Sequence, residues 1–353
     1  MCADLTHAPM PKRDWKEKAT LPYRDDFGRA INYLRVSVTD RCNLRCAYCM
    51  PDEGVQKKEH DAILRYEEMA LVVRAAAGLG ISKVRITGGE PLARLGLAEF
   101  VAMVAATPGI DDVSMTTNGT LLARHAAELA AAGLQRVNIS LDSLRPERFY
   151  QITRRDRLDD VLAGVEAARA AGLVPIKFNT VVVRGLNDDE IVDLARRTVT
   201  HGWHLRFIEL MPIGANVGWA GNSIVPVAEM RRRIEQALGP LQAVHGPVGN
   251  GPARYFHLPG TNGSAAGGTI GFIGAQSEHF CPTCNRLRLT ADGRLRPCLL
   301  SDAEIDLRGP LRAGAGLGEV QEILARAIRT KPARHHLDEA RPPQARTMSQ
   351  IGG

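Results

Sequence analysis

Cys42, Cys46 and Cys49 fall within eight residues, in the stretch Thr39-Asp40-Arg41-Cys42-Asn43-Leu44-Arg45-Cys46-Ala47-Tyr48-Cys49-Met50-Pro51. The spacing C-x3-C-x2-C supplies three thiolates and no fourth. A structural zinc site wants four protein ligands. A cubane of iron and sulfide takes one thiolate per iron, so three cysteines leave one iron open to another molecule. An open iron is a place for chemistry. The competing reading of the triplet is a zinc knuckle completed by a distant ligand such as His60. Three thiols this crowded make no sensible disulfide framework.

A second triplet lies near the other end, at Cys281, Cys284 and Cys298, with spacing C-x2-C-x13-C. It admits a Cys3His zinc site using His279, or a second cluster with an open iron. Arg286, Arg288 and Arg296 share the segment. Guanidinium forks match phosphate oxygens, and several converging could hold a triphosphate. On a strand, Arg286 and Arg288 would share a face. They could instead offset cluster charge. Cys2 remains over and reads as a free thiol.

The elements that must position these residues alternate. Strands are expected at 33–38, 83–87, 112–116, 136–140, 176–182 and 205–210, with helices at 66–77, 97–106, 121–132, 158–171 and 191–200. Gly133, Gly172 and Gly202 follow helical stretches, where a left-handed cap would need them. Strands alternating with helices of this length imply parallel β/α units. Six strands are fewer than the eight of a closed barrel, so the expected fold is α/β, an incomplete (β/α)6 barrel with a C-terminal auxiliary-cluster domain. The candidate residues recur at the C-terminal ends of strands, where such folds build sites: the cysteines after the first, Gly88-Gly89-Glu90-Pro91 after the second, Thr117-Asn118-Gly119 after the third, Ser140-Leu141-Asp142 after the fourth and Met211 after the sixth. Residues 240–275 read as loops or short antiparallel strands, and the Gly-rich stretch 314–318 as a turn or linker rather than a phosphate loop.

The expected division is a flexible N-terminal extension at 1–25, a core at 26–245, an auxiliary-cluster and substrate-binding region at 246–344, and a tail at 345–353. Net charge is +6, from 45 Lys+Arg against 39 Asp+Glu. That excess would suit a polyanionic small molecule. Aromatics are only 5%, so a base-stacking nucleic-acid surface has little support. No apolar run approaches membrane-spanning length. No secretory h-region is evident, which places the expected location in the cytoplasm, where thiols stay reduced.

The first triplet, with Tyr48 before its last cysteine, resembles the signature of the radical S-adenosylmethionine (SAM) superfamily. Both triplets, the Gly88-Gly89-Glu90-Pro91 turn and the terminal Gly352-Gly353 together resemble the GTP 3′,8-cyclases of molybdenum cofactor biosynthesis, from about Asp26 to the end. The resemblance implies two 4Fe–4S clusters and SAM as cofactors. One electron from the first cluster cleaves SAM to a 5′-deoxyadenosyl radical, and the substrate GTP becomes 3′,8-cyclo-7,8-dihydroguanosine triphosphate. It assigns Cys42, Cys46 and Cys49 to the SAM cluster, and Tyr48, Gly89, Ser140 and Met211 to SAM. It assigns Cys281, Cys284 and Cys298 to the second cluster, which meets guanine, and Arg35, Arg85, Thr116, Lys177, Arg286 and Arg288 to GTP. The Gly352-Gly353 tail is implied to enter the site. Also implied are an electron donor, a downstream cyclic pyranopterin monophosphate synthase and a homodimer, with no nucleic acid or membrane partner.

No Ser-His-Asp or paired-carboxylate constellation is evident. Each inward cation could otherwise pair with a barrel carboxylate such as Glu209, and His335-His336 reads as surface. Two other functions remain in view: a peptide-modifying radical SAM enzyme, which would carry more C-terminal cysteines, and a colourless zinc-dependent nucleic-acid-binding protein.

Overall fold

The computed structural model describes residues 22–56, 58–214, 222–245, 251–260, 267–337 and 343–352. Cys2, most of the N-terminal extension and Gly353 lie outside them.

The first six strands follow the expected alternation: β1 (Tyr33–Ser37), β2 (Lys83–Thr87), β3 (Asp112–Thr117), β4 (Arg136–Ser140), β5 (Lys177–Val182) and β6 (His204–Glu209). Between them run α1 (Tyr66–Gly78), α2 (Leu97–Ala105), α3 (Leu122–Ala131), α4 (Pro146–Thr153), α5 (Leu158–Ala170) and α6 (Ile191–Thr200). Gly133, Gly172 and Gly202 take φ of 100°, 74° and 64°, the left-handed caps the sequence implied.

The later chain holds more order than its sequence suggests. It contains α7 (Val227–Leu238), β7 (Gln242–Val244), β8 (Arg254–Leu258), β9 (Gly268–Ile273), β10 (Arg286–Leu289), β11 (Arg294–Arg296), β12 (Ile305–Asp306), α8 (Arg308–Arg312) and α9 (Leu317–Arg329). The hydrogen-bonded order is β12-β11-β10-β1-β2-β3-β4-β5-β6-β9-β8-β7. β10 pairs parallel with β1, and β9 parallel with β6, so the C-terminal region extends both flanks of the six-stranded core. β8 and β11 then pair antiparallel outside them.

The alternation within these strands sets the lumen. Val84, Ile86, Val113, Met115, Val137 and Ile139 are at most 2% exposed and belong to the apolar core. Each such burial contributes about 1.5–3 kcal/mol. Their neighbours Arg85, Thr87, Thr116, Asn138 and Ser140 line the opposite, inward face. The interior is polar and cationic, unlike the branched apolar filling of a closed barrel.

Candidate active site

One cavity opens at the C-terminal ends of the parallel strands and encloses about 1500 Å³, including space open to solvent. Cys42, Cys46 and Cys49 line one side, and Arg286, Arg288 and Phe280 line another.

The cysteine loop is held by the Gly88-Gly89 turn. Gly89 N donates to Thr39 O at 2.7 Å, and Glu90 N to Arg41 O at 2.8 Å. A Cβ on Gly88 would stand 2.6 Å from Thr39 O, and one on Gly89 2.4 Å from Arg41 O, so only glycine allows this approach. Fully buried Glu90 fixes the neighbouring loop: it accepts from Leu92 N, Thr117 Oγ1 and Asn118 N at 3.0, 2.8 and 2.7 Å. Burial pushes its carboxyl up to about 7.

The residues assigned to SAM surround this loop. Tyr48 donates to Asp142 Oδ2 at 2.6 Å, while Asp142 Oδ1 accepts from Val181 N at 2.8 Å. Ser140 at the end of β4 and Met211 beyond β6 line the same cavity, with Gly89. Burial pushes the Cys42 thiol up to about 11 and Cys49 to about 12, and raises Cys46 further. Leu44 N and Asn118 Nδ2 approach Cys42 Sγ at 3.4 and 3.8 Å. Three half-buried thiols sharing one wall, with N–H groups aimed at sulfur, fit a cluster whose binding releases protons. Among the described residues no three His, Cys, Asp or Glu side chains could hold a single metal ion. A cubane puts each thiolate on its own iron, so convergence on one point is not required.

The lumen floor is a cluster of cations. Arg85, Arg206 and Arg288 are 5–6% exposed and Lys177 is 3% exposed. Among the described residues Arg85, Arg206, Arg286 and Arg288 make no ion pair with a carboxylate. Glu209 accepts instead from Val227 N, Gln276 N and Ser277 N at 2.9, 2.9 and 3.0 Å. Burial, reinforced by Arg85, Arg286 and Arg206, pulls Arg35 down to about 10. Burial with Arg206, Arg136 and Arg85 brings Lys177 down to about 7. Arg85 Nε, Arg206 Nε and Nη2, and the Asn138 and Asn179 side-chain oxygens have no hydrogen-bond partner. Buried charges persist only when paired, so this lumen is built for an anion with further polar groups.

Arg206 and the two asparagines were not singled out from sequence. The available signal was the one that marked Arg35 and Arg85: a charge flanked by apolar residues on a buried strand, here Leu205-Arg206-Phe207. Tyr255 stands beside Arg206. A Cβ on Gly271 would lie 2.9 Å from both the Arg206 and Tyr255 side chains, so this glycine lets the two meet.

Around the second triplet, Cys281 and Cys284 flank a short 3-10 turn and Cys298 follows β11. Arg286 and Arg288 do share the inward face of β10. Arg296 does not join them: it is fully buried against Glu304 and the Ser301 carbonyl, away from the cavity. Burial raises the Cys284 thiol, but Arg286 and Lys331 together pull it down to about 6. His279 pairs with His335 at 2.9 Å. His335 is 3% exposed and also reaches Ala275 O at 2.9 Å, which corrects its expected surface position; His336 is exposed. His60 is exposed.

The tail enters the lumen. Gly352 O accepts from Arg35 Nη2, Thr87 Oγ1 and Arg288 Nη1 at 2.9, 3.1 and 3.2 Å. Gly352 has φ of 76°, and a Cβ there would stand 2.9 Å from Thr87 Cγ2. The Ser349 backbone lies beside Cys49, so the tail reaches both ends of the site.

Comparisons with known proteins agree with this geometry. Residues 36–198 match the Radical SAM superfamily model, and residues 203–337 the Molybdenum Cofactor Synthesis C model. The chain is 53% identical to the GTP 3′,8-cyclase of Pelotomaculum thermopropionicum over 94% of this chain and all of that protein. It is 54% identical to that of Heliobacterium modesticaldum over 93% of this chain and 99% of the relative. Among solved structures, Streptococcus suis SuiB bound to S-adenosylmethionine aligns with a TM-score of 0.56 at 13% identity, covering 82% of this chain and 67% of SuiB. Native anSMEcpe with bound AdoMet aligns at 0.55 and 15% identity, covering 86% of this chain and 82% of that protein. At such identities these two show the shared fold alone.

Proposed function

Since the chain belongs to the radical SAM GTP 3′,8-cyclases, we propose a division of labour among its residues. The activity is cyclisation of GTP to (8S)-3′,8-cyclo-7,8-dihydroguanosine 5′-triphosphate, the first step of molybdenum cofactor biosynthesis. Cys42, Cys46 and Cys49 hold the superfamily's 4Fe–4S cluster, with SAM among Tyr48, Gly89, Ser140 and Met211. Bound there, cluster and SAM supply one-electron cleavage and the carbon radical that breaks an unactivated ribose C–H bond.

The single observation that carries the substrate assignment is the cation lumen between the two cysteine groups, in which, among the described residues, Arg85, Arg206, Arg286 and Arg288 make no ion pair with a carboxylate. Arg35, Arg85, Arg286 and Arg288 take the triphosphate, Arg206 adds a further fork, and Lys177 and Thr116 complete the floor. The amide oxygens of Asn138 and Asn179 accept from donors on the nucleoside. Cys281, Cys284 and Cys298 hold a second 4Fe–4S cluster beside the base. A guanidinium has five N–H donors, so the Gly352 carbonyl leaves Arg288 free donors for phosphate. The tail, with Gly353 beyond the described residues, closes the space between the two cofactors and excludes water. No acid–base pair is needed.

The chain then divides at about residue 246 into core and auxiliary region, with a distinct N-terminal extension and a tail from 345. An external electron donor, a downstream cyclic pyranopterin monophosphate synthase and a homodimer accompany this reading, in the cytoplasm. No helix among the described residues is long and apolar enough to cross a membrane.

The test is anaerobic incubation of the reconstituted protein with SAM, GTP and dithionite. The expected products are 5′-deoxyadenosine and the cyclised triphosphate. Deoxyadenosine without GTP consumption would overturn the residue assignments on the substrate side.

A further inference from the structure

Lys331 follows α9 and is 3% exposed. Its Nζ donates to Arg286 O at 3.0 Å and to Pro297 O at 2.6 Å, and its charge faces the Cys284 sulfur. An ammonium has three donors, and two of them are fixed by these carbonyls. Among the described residues no carboxylate pairs with it. A buried ammonium without a carboxylate is costly unless another anion faces it. The groups facing it that can carry negative charge are the sulfurs of Cys284 and Cys298.

The two carbonyls are not arbitrary. Arg286 lies two residues after Cys284, and Pro297 immediately precedes Cys298. One ammonium therefore joins the two ends of the 13-residue insertion within the triplet. The remaining cysteine is secured from the adjacent residues. Arg29 Nη1 donates to Cys281 O at 2.9 Å and to Ala333 O at 3.1 Å, and its Nη2 to Pro332 O at 2.7 Å. Residues 331–333 thus form the wall behind the second triplet.

Arg286 also approaches Cys284 Sγ, at 3.6 Å, but from the cavity side, where substrate phosphate would share its charge. Lys331 does not line the cavity. Its charge toward the sulfur is the same with or without substrate.

We propose that Lys331 is a positioning residue for the second cluster, joining Cys284 to Cys298 and setting the cluster's reduction potential by a fixed positive charge. The inference rests on the reading that Cys281, Cys284 and Cys298 hold a cluster. Three thiolates make that site anionic, and one-electron reduction adds another negative charge. A cation in low-dielectric surroundings favours the more negative state. Lys331 therefore makes the potential less negative and slows loss of iron.

The experiment uses the full chain with Cys42, Cys46 and Cys49 replaced by Ala, reconstituted anaerobically so that only the second site can load. Iron and sulfide content, iron release to a chelator, and the midpoint potential from an EPR-monitored dithionite titration are compared for Lys331→Met and Lys331→Arg. The expected result is a more negative midpoint and faster iron release for Lys331→Met, with Lys331→Arg close to the parent. Complete failure of Lys331→Met to load, beside normal loading of Lys331→Arg, also supports the charge. An unchanged midpoint in Lys331→Met, or equal losses in both variants, overturns the inference while leaving the second cluster in place. A parent protein without iron and sulfide overturns the cluster reading and this inference with it.

Discussion

Arg346 grips Asp292 with both arms of its guanidinium, Nη1 to Oδ1 and Nη2 to Oδ2, each at 3.0 Å. Asp292 sits in the turn between β10 and β11, and Arg346 lies six residues before Gly352. The same guanidinium reaches Glu304 at 2.6 and 2.8 Å. The tail is therefore clasped to the strand pair that carries Arg288, and its last turn is delivered to the lumen at a fixed height.

Replacing Arg346 by Ala leaves two carboxylates short of a counter-charge. The side chain is 13% exposed, so the expected loss is about 1–3 kcal/mol, less than for a fully buried pair. Thermal denaturation should show that loss, limited proteolysis should cut the tail, and cyclisation should fall while SAM binding persists. A protease-resistant tail with full turnover would count against the clasp. Burial alone would raise the Asp292 carboxyl, but Arg346 and Lys58 hold it well below the usual range. A depressed carboxylate stabilises above its unfolded value of about 3.9 and loses that contribution only as pH falls through the folded value. The clasp should be insensitive to pH from neutrality down to about 4.

Cys281→Ser should retain SAM binding, because Cys42, Cys46 and Cys49 form a separate wall, yet abolish cyclisation. Equilibrium dialysis with SAM and product analysis check the two halves independently. Normal GTP turnover in this variant would mean that the second triplet has another role.

Arg206→Ala should weaken GTP binding about ten- to a hundredfold, the equivalent of one charge-assisted hydrogen-bond set of about 1.5–3 kcal/mol. Arg288→Ala should behave similarly. Binding of SAM measured on the same preparations should stay near that of the parent. An unaltered GTP affinity in Arg206→Ala would remove that side chain from the substrate site.

Lys177 should take up a proton when GTP binds. Without substrate its ammonium is pulled down to about 7 by burial and three arginines, and an arriving triphosphate restores the charged form. GTP affinity should then decline as pH rises above 7. For the unliganded fold the sign is opposite: between about 7 and the unfolded value near 10.4 the unfolded chain binds more protons, so this group adds stability as pH rises. Calorimetry in buffers of differing ionisation enthalpy would detect the proton uptake, and an absence of buffer dependence would exclude it.

The sequence displays its first half plainly. Val84-Arg85-Ile86-Thr87 alternates outward apolar and inward polar residues, and glycines close the helices. Both cysteine triplets were legible because their spacing is local. The flanks were not. Gly268-Thr269-Ile270-Gly271-Phe272-Ile273 has two glycines where a strand is expected to carry side chains, and Gly271 is required only by contacts to Arg206 and Tyr255 from other strands. Arg286-Leu287-Arg288-Leu289 becomes a parallel neighbour of β1 through pairing across some 250 residues, which no local pattern records. Arg206, Asn138 and Asn179 become site residues only when the sheet curls and their faces meet. The role of His335 depends on His279, 56 positions away.

That pairing of β1 with β10 also bears on how the chain is made. A nascent polypeptide exposes β1 long before residues 286–289 leave the ribosome, and until then one edge of that strand offers unpaired N–H and C=O groups beside an apolar face. Long-range parallel pairing is slow and leaves such edges open to association with other chains. C-terminal truncations ending before β10 should therefore accumulate as aggregates during synthesis, even though every element assigned to SAM would be present in them.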